Sequence, residues 1–192
     1  MGGPAPCEER MTFFLNGPDE TMMLGALLAE AMRSAGVRAL YLFAPLGGGK
    51  TTLVRGFAAA LPGGERAEVS SPSFTICNEY PTFPRILHAD LYRLPMQPHL
   101  PEEMEEASEE EDALTILEWP EHLRPEAYAE ERLELRLAPA GGDACKYLDN
   151  EPKTCEKVRS ATLSAHGAAA RELLERLLPV LQARFPCGAP QR

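Results

Sequence analysis

The chain has 192 residues, 44% of them hydrophobic and 25% charged, enough to bury the core of one ordinary domain and too apolar for disorder throughout. Nineteen Lys and Arg stand against 29 Asp and Glu, a net charge of −10. That balance argues against a free-standing nucleic-acid binder, which needs a basic footprint to neutralise phosphate.

Residues 1–11 read as a flexible lead bearing Pro and Gly. From Asp19, an expected N-cap, Met22, Met23, Leu27, Leu28, Ala31 and Met32 recur at helical spacing until Gly36. Residues 39–43 are a short apolar run expected to form a strand buried on both faces. A Gly-rich turn then leads into a helix from Lys50 to about Leu61. Residues 73–80 and 85–90 are expected as two strands joined around Pro81 and Pro84. Eight acids crowd residues 102–112, a run without Lys or Arg that reads as a solvated helix touching the core through Leu100 and Met104. It could also steer a basic partner.

Residues 113–117 predict another buried strand, ending at Glu118-Trp119-Pro120, and residues 132–137 alternate charged and apolar as a half-exposed strand does. Residues 139–157, rich in Gly, Pro, Asp and Lys, read as an inserted loop. A strand at 161–165 and a helix at 168–184, interrupted near Pro179, complete a single domain over 12–184, with 185–192 as a tail. Strands alternating with helices place the chain in the α/β class.

No apolar run approaches the roughly 18 residues that span a bilayer, and the first residues lack the basic start of a signal peptide. The cysteines, Cys7, Cys77, Cys145, Cys155 and Cys187, are odd in number and form no Cys-x-x-Cys, so a soluble, reducing compartment is expected. Cys145, Cys155 and His166 offer three donors at irregular spacing, and no zinc site is expected of them.

Ala44-Pro45-Leu46-Gly47-Gly48-Gly49-Lys50-Thr51 stands between an expected buried strand and an expected helix. In that context small residues let backbone N–H groups surround a phosphate, and the helix start adds the positive end of its dipole. Lys50 supplies a mobile cation, and the Thr51 hydroxyl suits Mg2+, which prefers hard oxygen donors. The alternative is a Gly-rich turn with an incidental lysine. Glu118 and Asp90, each closing an apolar strand, are the acids that can project toward this loop.

Ser71-Pro72-Ser73-Phe74, His88-Ala89-Asp90-Leu91-Tyr92-Arg93 and Glu118-Trp119-Pro120-Glu121 follow the loop in this order. With it they resemble the TsaE (YjeE) family, the ATPase component of bacterial tRNA threonylcarbamoyladenosine synthesis. That family reads G-x-L-G-A-G-K-T-T, S-P-T-F or S-P-T-Y, H-F-D-L-Y-R-L and I/V-E-W-P. The likeness extends to Thr21-x-x-Leu24-Gly25 upstream and to residues 159–167 downstream. The chain departs from the pattern with Ala44 for the first loop Gly, Pro45 for a common Asp, Gly48 for Ala and Ser73 for Thr. The Ala44 Cβ excludes a comfortable positive φ there.

The resemblance implies a P-loop NTPase-like three-layer fold, with a central, mostly parallel sheet and flanking helices. It implies a cytoplasmic Mg2+-ATPase that associates with TsaD and TsaB and meets tRNA only through them, with no membrane contact. On that reading Gly47, Gly48, Gly49, Lys50, Thr51 and Thr52 bind ATP, and Thr51 and Glu118 hold Mg2+. Lys50 serves catalysis, and Asp90, which closes its strand toward the same crevice, is expected from that position to serve catalysis by orienting the attacking water or a metal-bound water. Ser70, Ser71 and Ser73 fall where the family has a mobile segment near the γ-phosphate, and Trp119 falls beside the nucleotide. The region from Thr21 to Gly25 is a candidate for the adenine pocket, and Arg93 for pairing with phosphate or carboxylate. His88 reads as a scaffold residue. Two other classes stay open, a small-molecule kinase and a nucleotide-dependent binding module that hydrolyses little.

Overall fold

Ala39–Phe43 forms β2, and its all-apolar composition fits a place at the centre of the sheet, where both faces are covered. Around it the chain runs β1 (Arg10–Asn16), α1 (Pro18–Ala35), β2, α2 (Lys50–Ala59), β3 (Cys77–Tyr80), β4 (Arg85–Asp90), α3 (Glu102–Glu109), β5 (Ala113–Glu118), β6 (Arg132–Pro139), β7 (Val158–His166) and α4 (Ala168–Arg184). This computed structural model describes residues 10–97, 99–110, 112–140 and 158–187. The lead before Arg10, most of the expected insertion with Cys145 and Cys155, and residues 188–192 lie outside the described residues.

The seven strands among the described residues are ordered β1-β7-β6-β2-β5-β4-β3. Strands β6, β2, β5 and β4 are parallel neighbours, β7 and β3 oppose them, and β1, antiparallel to β7, points with the majority. Leu40 and Leu42 of β2 face a core built with Leu24, Leu28 and Met32 of α1, Leu53 and Phe57 of α2, and Leu173, Leu174 and Leu177 of α4. Ala39 and Tyr41 face the other way, toward Met104 of α3, Leu117 and Leu123. The result is a P-loop NTPase-like, three-layer α/β fold. No helix among the described residues is long and apolar enough to cross a membrane.

Several local features differ from the sequence reading. Strand β1 begins at Arg10 and buries Met11, Phe13 and Leu15, so the sheet takes in the last two residues of the expected lead. Helix α1 starts at Pro18 with Gly17 as its N-cap, which leaves Asp19 in the first turn, where its charge meets the helix dipole. Met22 and Met23 are partly exposed, and the buried face of α1 runs instead through Leu24, Gly25, Leu28 and Met32. A side chain at Gly25 would collide with the Leu53 carbonyl, so this glycine lets α1 lie directly on the helix that carries Lys50.

Residues 73–76 form a turn rather than the start of a strand. Ile76 donates to the Pro72 carbonyl at 2.7 Å and has a left-handed φ of 67°, costly for a β-branched residue. Helix α4 continues through Pro179, because Leu173, Leu174, Leu177 and Leu181 bury one uninterrupted face that offsets a lost backbone hydrogen bond. The Glu131 carboxylate caps its first turn, accepting from the N–H groups of Ala168 at 2.7 Å and Ala170 at 3.0 Å. The expected tail is built into the fold at its start: Phe185 is buried and stacks on Phe13 at 5.4 Å, and the Pro186 carbonyl accepts from Phe14 N–H. Helix α3 buries Met104 completely, and Glu110 just beyond it pairs with Arg85 at 2.6 Å.

Candidate nucleotide site

Parallel strands β2, β5 and β4 end at one edge of the sheet, and their register sets Glu118 beside Leu42 on one side and Asp90 on the other. The loop after β2 rises over the same edge. It closes with a Gly48 N–H to Pro45 carbonyl bond of 2.9 Å, while Gly47 and Gly49 adopt φ of 72° and 101°. Ala44 is not among the positive-φ residues. A Cβ on Gly48 would come within 2.8 Å of the Ala44 Cβ and of the Pro45 oxygen, so with alanine at 44 position 48 has no room for a side chain.

Lys50, the first residue of α2, is 6% exposed and folds back under the loop. Its Nζ donates to the Ala44 carbonyl at 3.0 Å and the Pro45 carbonyl at 3.4 Å, lies 3.7 Å from Glu118 Oε2, and sits 4.4 Å over the Trp119 ring. Glu118 is 2% exposed. Its Oε1 accepts from His88 Nε2–H at 2.9 Å. Trp119 then turns the chain in a left-handed conformation, φ 57°, and lies 4.8 Å from the Tyr92 ring.

Asp90 is 4% exposed and held on both oxygens. Oδ2 accepts from the Ser73 hydroxyl at 2.6 Å, and Oδ1 from Tyr92 N–H at 2.9 Å, a local turn of the kind Asp favours. Ser71 and Ser73 share a hydroxyl bond of 2.7 Å. Together these groups enclose a cavity of about 230 Å³, lined by Gly47, Gly48, Gly49, Lys50, Thr51, Thr52, Ser71, Ser73, Asp90, Glu118 and Trp119.

The residues expected to bind the phosphates, hold the metal or serve catalysis, Gly47 to Thr52, Asp90 and Glu118, all border this one space. Others lie further out. Thr21 packs near Gly49 while Gly25 serves helix packing; the Arg93 guanidinium stacks on the Phe74 ring at 4.4 Å; His166 meets Glu134 at 3.2 Å. The Ser70 carbonyl accepts from Tyr80 OH at 2.9 Å. Burial raises the Tyr80 phenol above its ordinary pKa, a rise that the hydrogen bond from Asn78 partly opposes. Sequence reasoning gave no role to Arg159, whose Nη2 donates to the Gly47 carbonyl at 3.4 Å from the far side of the loop. Its presence in the downstream segment of the family likeness was the available signal.

The family model described as threonylcarbamoyl adenosine biosynthesis protein TsaE matches residues 15–145. The chain belongs to the TsaE family. Among relatives named tRNA threonylcarbamoyladenosine biosynthesis protein TsaE, that of Streptomyces coelicolor is 33% identical over 147 residues, 75% of this chain and 89% of that protein. That of Bacillus subtilis is 35% identical over 132 residues, 66% of this chain and 76% of the relative. The crystal structure of Bacillus subtilis YdiB superposes with a TM-score of 0.63 at 25% identity, covering 92% of this chain and 99% of the other. The TsaE match ends before β7 and α4, so Arg159 lies outside it.

Proposed function

We propose that the chain is a Mg2+-dependent ATPase that binds and hydrolyses ATP in support of tRNA threonylcarbamoyladenosine modification, in the cytoplasm and together with TsaD and TsaB. The observation that carries this reading is the opposition of Lys50 and Glu118, 3.7 Å apart and both buried, beside a loop whose glycines line the same cavity. A buried ion pair held that loosely at the mouth of a cavity is poor structural reinforcement and good preparation for a charged ligand.

The residues fit the implied metal. The Thr51 hydroxyl and the Glu118 carboxylate are hard oxygen donors on the walls of one cavity, and Glu118 Oε2 accepts no hydrogen bond among the described residues. Bound Mg2+ would neutralise charge on the β- and γ-phosphate oxygens. Lys50 exchanges its two loop carbonyls for phosphate oxygens and so brings its charge to the leaving group. The N–H groups of Gly47 to Thr52 orient the phosphate chain. Asp90, fixed on both oxygens by Ser73 and Tyr92, orients the water that attacks.

The family name supports the modification pathway, and the acidic balance of −10 suits a component that leaves tRNA contacts to its partners. Phosphate release from ATP by the full chain, alone and with TsaD and TsaB, tests the reading. Release that needs Mg2+ and rises with the partners is expected. Binding without release in either setting makes the chain a nucleotide-dependent module, and phosphate transfer to an acceptor metabolite makes it a kinase.

A further inference from the structure

Beneath Glu118 runs a chain of polar contacts, buried at His88 and reaching the surface at Ser70. His88 is fully buried on β4, two residues before Asp90, so both side chains share one sheet face. Its Nε2 holds Glu118 Oε1 at 2.9 Å, and its Nδ1 lies 3.2 Å from Tyr80 OH. Tyr80 in turn donates to the Ser70 carbonyl at 2.9 Å. Ser70 opens the segment whose Ser73 hydroxyl reaches Asp90 at 2.6 Å. The two acids of the site are therefore attached to one short segment, Asp90 directly through Ser73 and Glu118 through His88 and Tyr80.

We propose that His88 and Tyr80 are positioning residues, which aim the Glu118 carboxylate at the metal and couple metal binding to the placement of residues 70–73. The inference rests on the reading of Glu118 as a metal ligand. By holding Oε1, His88 leaves Oε2 turned toward Lys50 and the cavity. Partners that orient a ligating group in this way act on metal affinity. The Tyr80 hydroxyl stands between the Ser70 carbonyl, to which it donates, and His88 Nδ1, so the imidazole and residue 70 touch one and the same group. A shift of Glu118 that draws on the imidazole is therefore felt at Ser70.

The test is a Mg2+ titration of the full chain loaded with a non-hydrolysable ATP analogue, followed by the fluorescence of Trp119, the single tryptophan. Metal-free analogue affinity is measured alongside by calorimetry. His88→Leu, which removes both ring nitrogens, should raise the Mg2+ concentration for half-saturation about tenfold or more. Metal-free affinity should stay unchanged. His88→Gln, which can restore a donor to Glu118, should return close to the parent curve. Tyr80→Phe should bind nucleotide normally but lose the hydrogen-exchange protection that Mg2+ and nucleotide confer on residues 70–73. If His88→Leu does not fold, Tyr80→Phe decides: retained protection overturns the inference. Mg2+ curves for His88→Leu that coincide with the parent overturn it as well, while leaving the metal site intact. A parent protein indifferent to Mg2+ overturns the metal reading and this inference together.

Discussion

Two glutamates, each buried within a strand, lie on opposite faces of the sheet and have opposite surroundings. Glu134 of β6 receives Arg132 at 2.9 Å and His166 at 3.2 Å on one oxygen and Arg136 at 3.4 Å on the other, and both arginines lie over aromatic rings. Both of its oxygens are occupied. Among the described residues Glu118 of β5 accepts one hydrogen bond, from His88, and has a loose approach to Lys50 at 3.7 Å, with a cavity in front. Burial alone therefore does not mark a functional acid. What separates the two is whether the folded chain already satisfies the carboxylate or leaves an oxygen to be satisfied by something else.

The sharpest way to break this contrast is to exchange losses of function and of stability between the two acids. Glu118→Ala should cut ATP turnover in the complex with TsaD and TsaB by about 10²–10³-fold while keeping appreciable nucleotide binding and a near-parental Tm. Asp90→Ala should do the same, and full phosphate release by either variant refutes the role given to that residue. Lys50→Ala should weaken binding of Mg2+-ATP roughly a hundredfold in calorimetric titration, the loss of a charge-assisted phosphate contact. Unchanged binding removes the phosphate-loop assignment. Glu134→Ala should behave in reverse, losing about 1–3 kcal/mol of stability in denaturant titrations because its arginines and His166 lose their shared acceptor. Turnover per folded molecule should not change.

Finer tests address the loop and the core. Gly48→Ala should weaken nucleotide binding, since its Cβ would meet both Ala44 and the Pro45 oxygen at 2.8 Å. Adding Ala44→Gly should recover only part, because the second collision remains. The smallest effect concerns Tyr41, whose phenol burial raises above the ordinary tyrosine value of 10.0. The unfolded chain ionises first as pH rises, so this stabilisation is complete below that value and is lost above it. Denaturation at increasing alkaline pH should show the decline, and Tyr41→Phe should flatten it.

Legibility from sequence followed the distance over which each feature is determined. Strands β2 and β5 were readable because each is a short apolar run closed by a functional turn, and Glu118 was readable because it ends one of them. Strand β1 was missed although Met11, Phe13 and Leu15 alternate as strand residues do. Its partner β7 lies far along the chain, so that the Thr12 and Thr162 hydroxyls meet at 2.9 Å across 150 positions. Pro179 misled for a related reason: its local cost is visible in sequence, whereas the burial on either side that offsets it is not.

The amino-acid order alone pointed to the residues that line the cavity, because loop glycines, Lys50, Thr51 and strand-end acids announce themselves within a few residues of chain. Tertiary structure alone decided which carboxylate retains unused bonding capacity and which buried imidazole stands behind it. Those outcomes depend on strand register, which brings β4 beside β5 and β6 beside β7 and so places charges separated by tens of residues within hydrogen-bond reach.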